Sequence, residues 1–109
     1  GANGYRVLSA RTVELLRTNQ LVGKALDDYN SRFQRGYGYG LGVRTHIDRG
    51  QSCSLSSLGE FGWSGAAGSL LLCDPAENLA VFYVQHLRNY TNALIHHPLK
   101  NVIYTCLDR

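Results

Sequence analysis

Two short apolar runs, residues 67–73 and 79–85, flank the pentapeptide Asp74-Pro75-Ala76-Glu77-Asn78. Pro75 suits the second position of a β-turn, and Asp and Asn favour turn ends. The runs are short for helices, and the second is rich in Val, Phe and Tyr, so together they read as a β-hairpin. Apolar residues occupy both faces of each run. Such strands belong in the middle of a sheet, so the expectation is a central hairpin covered by helices. The rest of the chain must then supply that cover.

Two segments have the required period. Ser9 is a plausible N-cap for a helix over residues 10–21, with Leu8, Thr12, Leu15, Leu16 and Asn19 on one mostly apolar stripe and Gly23 as its stop. At the other end, Pro98 fits the first turn of a helix. Leu99, Val102, Ile103 and Cys106 follow at i, i+3, i+4 and i+7, and the helix is expected to close near Arg109. Residues 24–36 are polar and mixed, and read as a loop.

Between them lies Tyr37-Gly38-Tyr39-Gly40-Leu41-Gly42-Val43. The alternation predicts one strand with a bare glycine face. Three glycines weaken a strand, so something must approach them closely. A packed helix or neighbouring backbone is preferred to a ligand. A phosphate loop does not fit, because the spacing is not GxGxxG and no helix follows. The order helix, strand, strand, strand, helix gives an α+β domain over residues 1–109. Its expected form is an antiparallel sheet of about three strands flanked by N- and C-terminal helices.

Composition excludes several function classes. At 44% hydrophobic residues the chain can form a core. The net charge of +3 comes from scattered residues, so neither a nucleic-acid nor a membrane partner is expected. No run is apolar for long enough to span a bilayer. Cys53, Cys73 and Cys106 are far apart and lack CxxC spacing, which argues against a disulfide framework or a zinc site and favours a reducing, cytoplasmic compartment. Cys73 and Cys106 suit small core positions. His46, His86 and the His96-His97 pair lack metal-ligand spacing and read as solvated or capping residues. No metal and no cofactor are expected. No Ser/His/Asp spacing suggests a local triad, and GxSxG is absent.

Four segments in order, "RVLSARTVELLRTNQL", "GYGYGLGVRT", "GEFGWSGAAGSLLLCDPAENLAVFYVQH" and "HPLKNVIYTCL", resemble the C-terminal part of the serine β-lactamase-like hydrolases. That superfamily includes class C β-lactamases, DD-peptidases and related esterases. The resemblance spans nearly the whole chain. It implies a partial β-lactamase-like fold in which the strand through Trp63 borders a catalytic cleft. The third active-site motif of that family is Lys-Thr-Gly, His-x-Gly or Trp-x-Gly, and its positions match Trp63, Ser64 and Gly65. The residue after the motif glycine, Ala66, would offer its backbone N–H to the oxyanion of a tetrahedral intermediate. Trp63, Ser64 and Gly65 would contact substrate. A neutral indole in place of a cation favours ester or amide hydrolysis over β-lactam turnover.

The family's nucleophile lies in Ser-x-x-Lys, which these 109 residues lack. Tyr90-Thr91-Asn92 matches the letters of the second motif, Tyr-x-Asn, but falls after the third motif and is taken as coincidence. Serine without a paired base is a weak nucleophile. The chain therefore reads as the C-terminal portion of a larger serine hydrolase acting on a small ester, amide or β-lactam, and as inert alone. Alternatives are a non-catalytic peptide- or cell-wall-binding module with a degenerate fold, and a small α+β domain that self-associates through an exposed sheet edge.

Overall fold

Ser9 starts the first helix as its side chain dictates. In the computed structural model, which describes residues 2–88 and 92–107, the Ser9 hydroxyl accepts the Thr12 N–H at 3.1 Å and opens α1 (Ala10–Leu16). The helix stops short of the expected residue 21. Asn19 competes with it by bonding locally. Its Oδ1 accepts the amides of Leu21 at 2.9 Å and Tyr39 at 3.1 Å. The chain is thereby turned along the sheet edge.

Gly23 begins a helix where it was expected to end one. The supposed loop holds α2 (Gly23–Arg32). Leu26, Tyr29, Asn30 and Phe33 fall at i, i+3, i+4 and i+7, but only half of that stripe is aliphatic or aromatic without a polar end, and the composition masks it. Asn30 docks α2 through bonds to the Tyr37 carbonyl at 3.2 Å and the Gly36 amide at 2.8 Å.

The sheet has five antiparallel strands in chain order, not three. They are β1 (Tyr37–Tyr39), β2 (Arg44–His46), β3 (Phe61–Ser64), β4 (Leu70–Asp74) and β5 (Leu79–Tyr83). The run over residues 37–43 is not one strand. It reverses where the Gly40 amide donates to the Val43 carbonyl at 2.7 Å and Gly42 takes a φ of +85°, a conformation glycine adopts without strain. Between β2 and β3, Asp48 caps the short helix α3 (Arg49–Ser52).

Close packing explains two of the three glycines, Gly38 against a side chain and Gly40 against backbone, whereas a Cβ at Gly42 would meet nothing within 4 Å. A Cβ at Gly38 would collide with Asn19, and one at Gly40 with the Leu16 carbonyl. Thr45 Oγ1 also reaches this segment, donating to the Arg17 carbonyl at 2.6 Å.

The turn between β4 and β5 forms at Asp74–Asn78, and Asp74 Oδ1 accepts the Ala76 amide at 3.1 Å. The hairpin is not covered on both faces. Leu70 and Leu72 are buried, whereas Leu71 is 49% and Phe82 72% exposed. Among the described residues, β5 pairs only with β4 and stands at the sheet's margin.

The covered face lies under α4 (Asn92–Thr105), which carries Pro98 in its interior rather than its first turn. Contacts on both sides of the proline hold the helix across it. His96 Nε2 bonds the Gly68 carbonyl at 2.6 Å, and Tyr104 Oη donates to Asp74 Oδ2 at 2.6 Å. The buried stripe is His96, Lys100 and Tyr104, while Val102 and Cys106 are exposed. The expected apolar face is thus displaced by a polar one. Cys53 is exposed as well, Cys73 is half-buried, and all three thiols are free. The helix end expected near Arg109 and the Tyr90-Thr91 part of the letter match lie outside the described residues. Among the described residues, no helix is long and apolar enough to cross a membrane.

Candidate functional site

β3 runs into a tight turn that isolates one amide. Gly65 N–H closes the strand pair on the Ser69 carbonyl at 2.9 Å, and the Gly65 carbonyl accepts Gly68 N–H at 3.1 Å. The second bond defines a four-residue β-turn with Ala66 at its second position. The amide at that position takes no part in the turn's hydrogen bond. Ala66 is exposed, and its N–H makes no hydrogen bond among the described residues. Gly68 completes the turn at φ +98°, packed so closely on Gln85 that a Cβ would clash.

A cleft of about 750 Å³ lies against this turn, and Trp63, Ser64, Gly65 and Ala66 all line it. The four residues singled out from sequence therefore share one concave surface. Trp63 is 40% exposed. Its ring meets Tyr39 edge-on at 5.6 Å and tilts against Phe33 at 5.9 Å. Tyr29 joins them, 5.0 Å from Phe33. Burial is the main cause that pushes the Tyr29 hydroxyl up to about 12, and nearby Arg44 opposes it.

Sequence reasoning missed the cleft's cations. β2 contributes Arg44, α4 contributes Lys100, and both line the cleft. Arg44 Nη1 donates to Ser64 Oγ at 3.3 Å. Behind it lies a buried polar layer. Tyr37 Oη donates to Glu60 Oε2 at 2.7 Å. Lys100 Nζ reaches Tyr37 Oη at 2.7 Å and Glu60 Oε2 at 3.3 Å. Desolvation brings the Lys100 ammonium down to about 8, although Glu60 favours its charge. The place of Lys100 on the His96–Lys100–Tyr104 stripe was a readable signal. A hydrophobic search passes over it because the stripe is polar.

The structure also joins a serine and a histidine that the spacing search had set apart. His46 Nε2 lies 2.6 Å from Ser52 Oγ. Its Nδ1 faces the Ser57 carbonyl at 3.1 Å, not a carboxylate. Both residues are enclosed, the imidazole stacks on Tyr37 at 4.8 Å, and Ser52 Oγ already accepts the Ser54 amide at 3.1 Å. Burial lowers the His46 pKa. The pair fastens α3 to β2. Among the described residues, no group of His, Cys, Asp and Glu is arranged to hold a metal ion.

No protein-family model matches the chain. It is similar to two curated proteins of Mycobacterium tuberculosis: the uncharacterized protein MT1414 of strain CDC 1551 / Oshkosh and protein Rv1367c of strain ATCC 25618 / H37Rv. Each is 36% identical over 90 residues, which cover 77% of this chain and 22% of the relative. The chain thus spans about a fifth of the length of the curated relatives it matches.

Proposed function

We propose that the chain is the sheet portion of a β-lactamase-like serine acyl hydrolase, supplying an oxyanion donor to a nucleophile carried elsewhere in the same protein. The substrate is a small ester, amide or β-lactam. The observation that supports this reading best is the amide of Ala66, a residue lining the cleft, which makes no hydrogen bond among the described residues. A fixed N–H facing a partly enclosed site needs no reorganisation when charge develops on an acyl oxygen. At Gly65 a Cβ would come within 2.5 Å of Ser69 Oγ, so the missing side chain serves the tight packing of the turn that presents that amide. Trp63 offers an aromatic wall for the acyl or leaving group, and Ser64 a hydroxyl oriented by Arg44.

Within this chain no serine stands in Ser-x-x-Lys. An oxyanion donor alone does not complete acyl transfer, which also needs an activated nucleophile. The greater length of the two relatives leaves room for one. The test has two arms. The protein as its gene encodes it is assayed with 4-nitrophenyl butyrate and a chromogenic cephalosporin, and its sequence is read for Ser-x-x-Lys. Ester turnover is expected only from that protein, with the motif present. Steady turnover by the isolated chain would overturn the division of labour. Absence of both the motif and any turnover would overturn the hydrolase reading.

A second reading, a non-catalytic binding module, draws on a different observation. The cleft sets the exposed rings of Phe33 and Trp63 beside Arg44 and Ser64, a combination that can hold a ligand without a nucleophile.

A further inference from the structure

The turn that carries the Ala66 amide has little of its own to hold it. Its residues are Gly65, Ala66, Ala67 and Gly68. They bring no polar side chain, and the two glycines have the widest backbone freedom of any residue. Yet an oxyanion donor is effective when its N–H is already in place as charge develops. The order of this turn must come from outside it.

Contacts from the rest of the chain meet on its last two residues. The Leu87 amide donates to the Ala67 carbonyl at 3.0 Å, and His96 Nε2 bonds the Gly68 carbonyl at 2.6 Å. A carbonyl only accepts, so Nε2 carries a hydrogen and the bond selects that tautomer. Gly68 is buried and His96 is only 6% exposed, so water offers the carbonyl no ready substitute. Tyr83 meets the imidazole edge-on at 6.1 Å, and its hydroxyl donates to Gln85 Oε1 at 2.8 Å. Gln85 in turn packs against Gly68. His96 is itself held from α4. It leads the stripe His96, Lys100 and Tyr104, spaced four residues apart on one helix face. Lys100 is tied to Tyr37 and Glu60, and Tyr104 to Asp74. These bonds set the rotation of the helix, and that rotation delivers the imidazole to Gly68.

We infer that His96 is a positioning residue: through the Gly68 carbonyl it holds the 65–68 turn in the shape that leaves the Ala66 N–H free for an acyl oxyanion. The imidazole touches no reacting atom in this role. It acts by keeping the turn still. The inference deepens the hydrolase reading and rests on it for the catalytic consequence, whereas the ordering of the turn by His96 stands without turnover.

The gene-encoded protein is compared with two variants. His96→Phe keeps a ring against Tyr83 and deletes the donor, and His96→Gln places an amide N–H where Nε2 stood. Hydrogen exchange read by mass spectrometry should be about tenfold faster in His96→Phe for fragments holding the Gly65 and Gly68 amides, with fragments from β5 unchanged. His96→Gln should restore most of that protection. With 4-nitrophenyl butyrate, His96→Phe should lower kcat about tenfold with KM nearly constant, and His96→Gln should recover most of the rate. In an Ala66→Pro background the same His96→Phe change should leave kcat where proline puts it, because the donor that His96 positions is gone. Losses that multiply in the double variant overturn the inference, as does unchanged exchange at the turn. Should His96→Phe fail to fold by circular dichroism, the imidazole nitrogen resonances of the unmodified protein decide the matter: a slowly exchanging Nε2–H upholds the bond, and the Nδ1–H tautomer overturns it. Faster exchange at the turn in a protein that turns over no ester upholds the role of His96 in ordering the turn and sinks the hydrolase reading. Ester turnover with the turn unchanged in His96→Phe does the reverse.

Discussion

The two faces of the β4–β5 hairpin are built on opposite principles. Under α4, buried positions hold Glu60, Asp74, Lys100 and Tyr104 as well as Leu70 and Leu72. On the reverse, Leu71 and Phe82 face one another in register and both are exposed. Polar atoms are inside and large apolar ones outside. The covered face is organised by directional bonds to a few partners, each distant in sequence. The open face has apolar surface and an edge strand, which are the ingredients of association. A face held by hydrogen bonds and ion pairs fixes where α4 sits, and therefore where the cleft's Lys100 and His97 stand. A bare apolar face fixes nothing within the chain.

The largest effect should come from the charge at the centre of the covered face. Glu60→Gln leaves Lys100 and Arg44 without their counterion at 3.3 and 3.8 Å. Removing one partner of a buried ion pair costs about 3–5 kcal/mol. Urea denaturation measures it, and a loss below about 1 kcal/mol would mean that the polar layer does not organise this face.

Neighbouring leucines sharpen the contrast next. Leu72→Ala, at a fully buried site, should cost about 2–5 kcal/mol. Leu71→Ala, one residue away but exposed, should stay within about 0.5 kcal/mol. Equal costs in the same denaturation series would show that the open face is covered in solution.

Tyr104→Phe removes the 2.6 Å bond to Asp74, at about 1–3 kcal/mol. It also carries a pH signature. Burial works against the Asp74 carboxylate, but the bonds from Tyr104 and from the Ser57 and Glu77 amides outweigh it, so Asp74 titrates below its ordinary 3.8. A carboxyl with a depressed folded value contributes stability that is complete above its unfolded pKa and is lost as pH falls through the folded one. Acid titration of the denaturation midpoint should therefore show a smaller acid loss for Tyr104→Phe than for the unmodified chain. An unchanged acid limb would remove Asp74 from this role.

Phe82→Ser should have the smallest effect on stability, within about 0.5 kcal/mol, and a visible effect on association. Size-exclusion chromatography across a dilution series should show less self-association than in the unmodified chain. A clean monomer before substitution would leave the open face without that function.

Features that sequence makes legible here are those set by local chemistry. The Ser9 cap, the Asp74–Asn78 turn and the close approach at Gly38 and Gly40 each follow from one residue's donors, acceptors or missing Cβ. Features decided by distant partners were not legible. Lys100 is buried because Glu60 and Tyr37 await it from 40 and 63 residues away, and no periodicity of apolar residues reports that. The reversal at Gly42 is hidden inside a perfect alternation, since the pattern of side chains does not record the sign of φ. Gly23 opens α2 instead of closing a helix, and in sequence a glycine at a helix start and one at a helix stop look alike. Of the cleft, Trp63, Ser64, Gly65 and Ala66 were reached through a family resemblance. Arg44 needed the sheet, because only the β2–β3 pairing brings it to Ser64.

The most direct test is of the Ala66 amide. In the gene-encoded protein, Ala66→Pro deletes the donor at the second position of a β-turn, where proline is well tolerated, and Ala66→Gly keeps it. Steady-state hydrolysis of 4-nitrophenyl butyrate should show kcat reduced about 10²–10³-fold by proline with KM little changed, and near-normal kcat with glycine. A proline variant that turns over ester as fast as the unmodified protein would contradict the account.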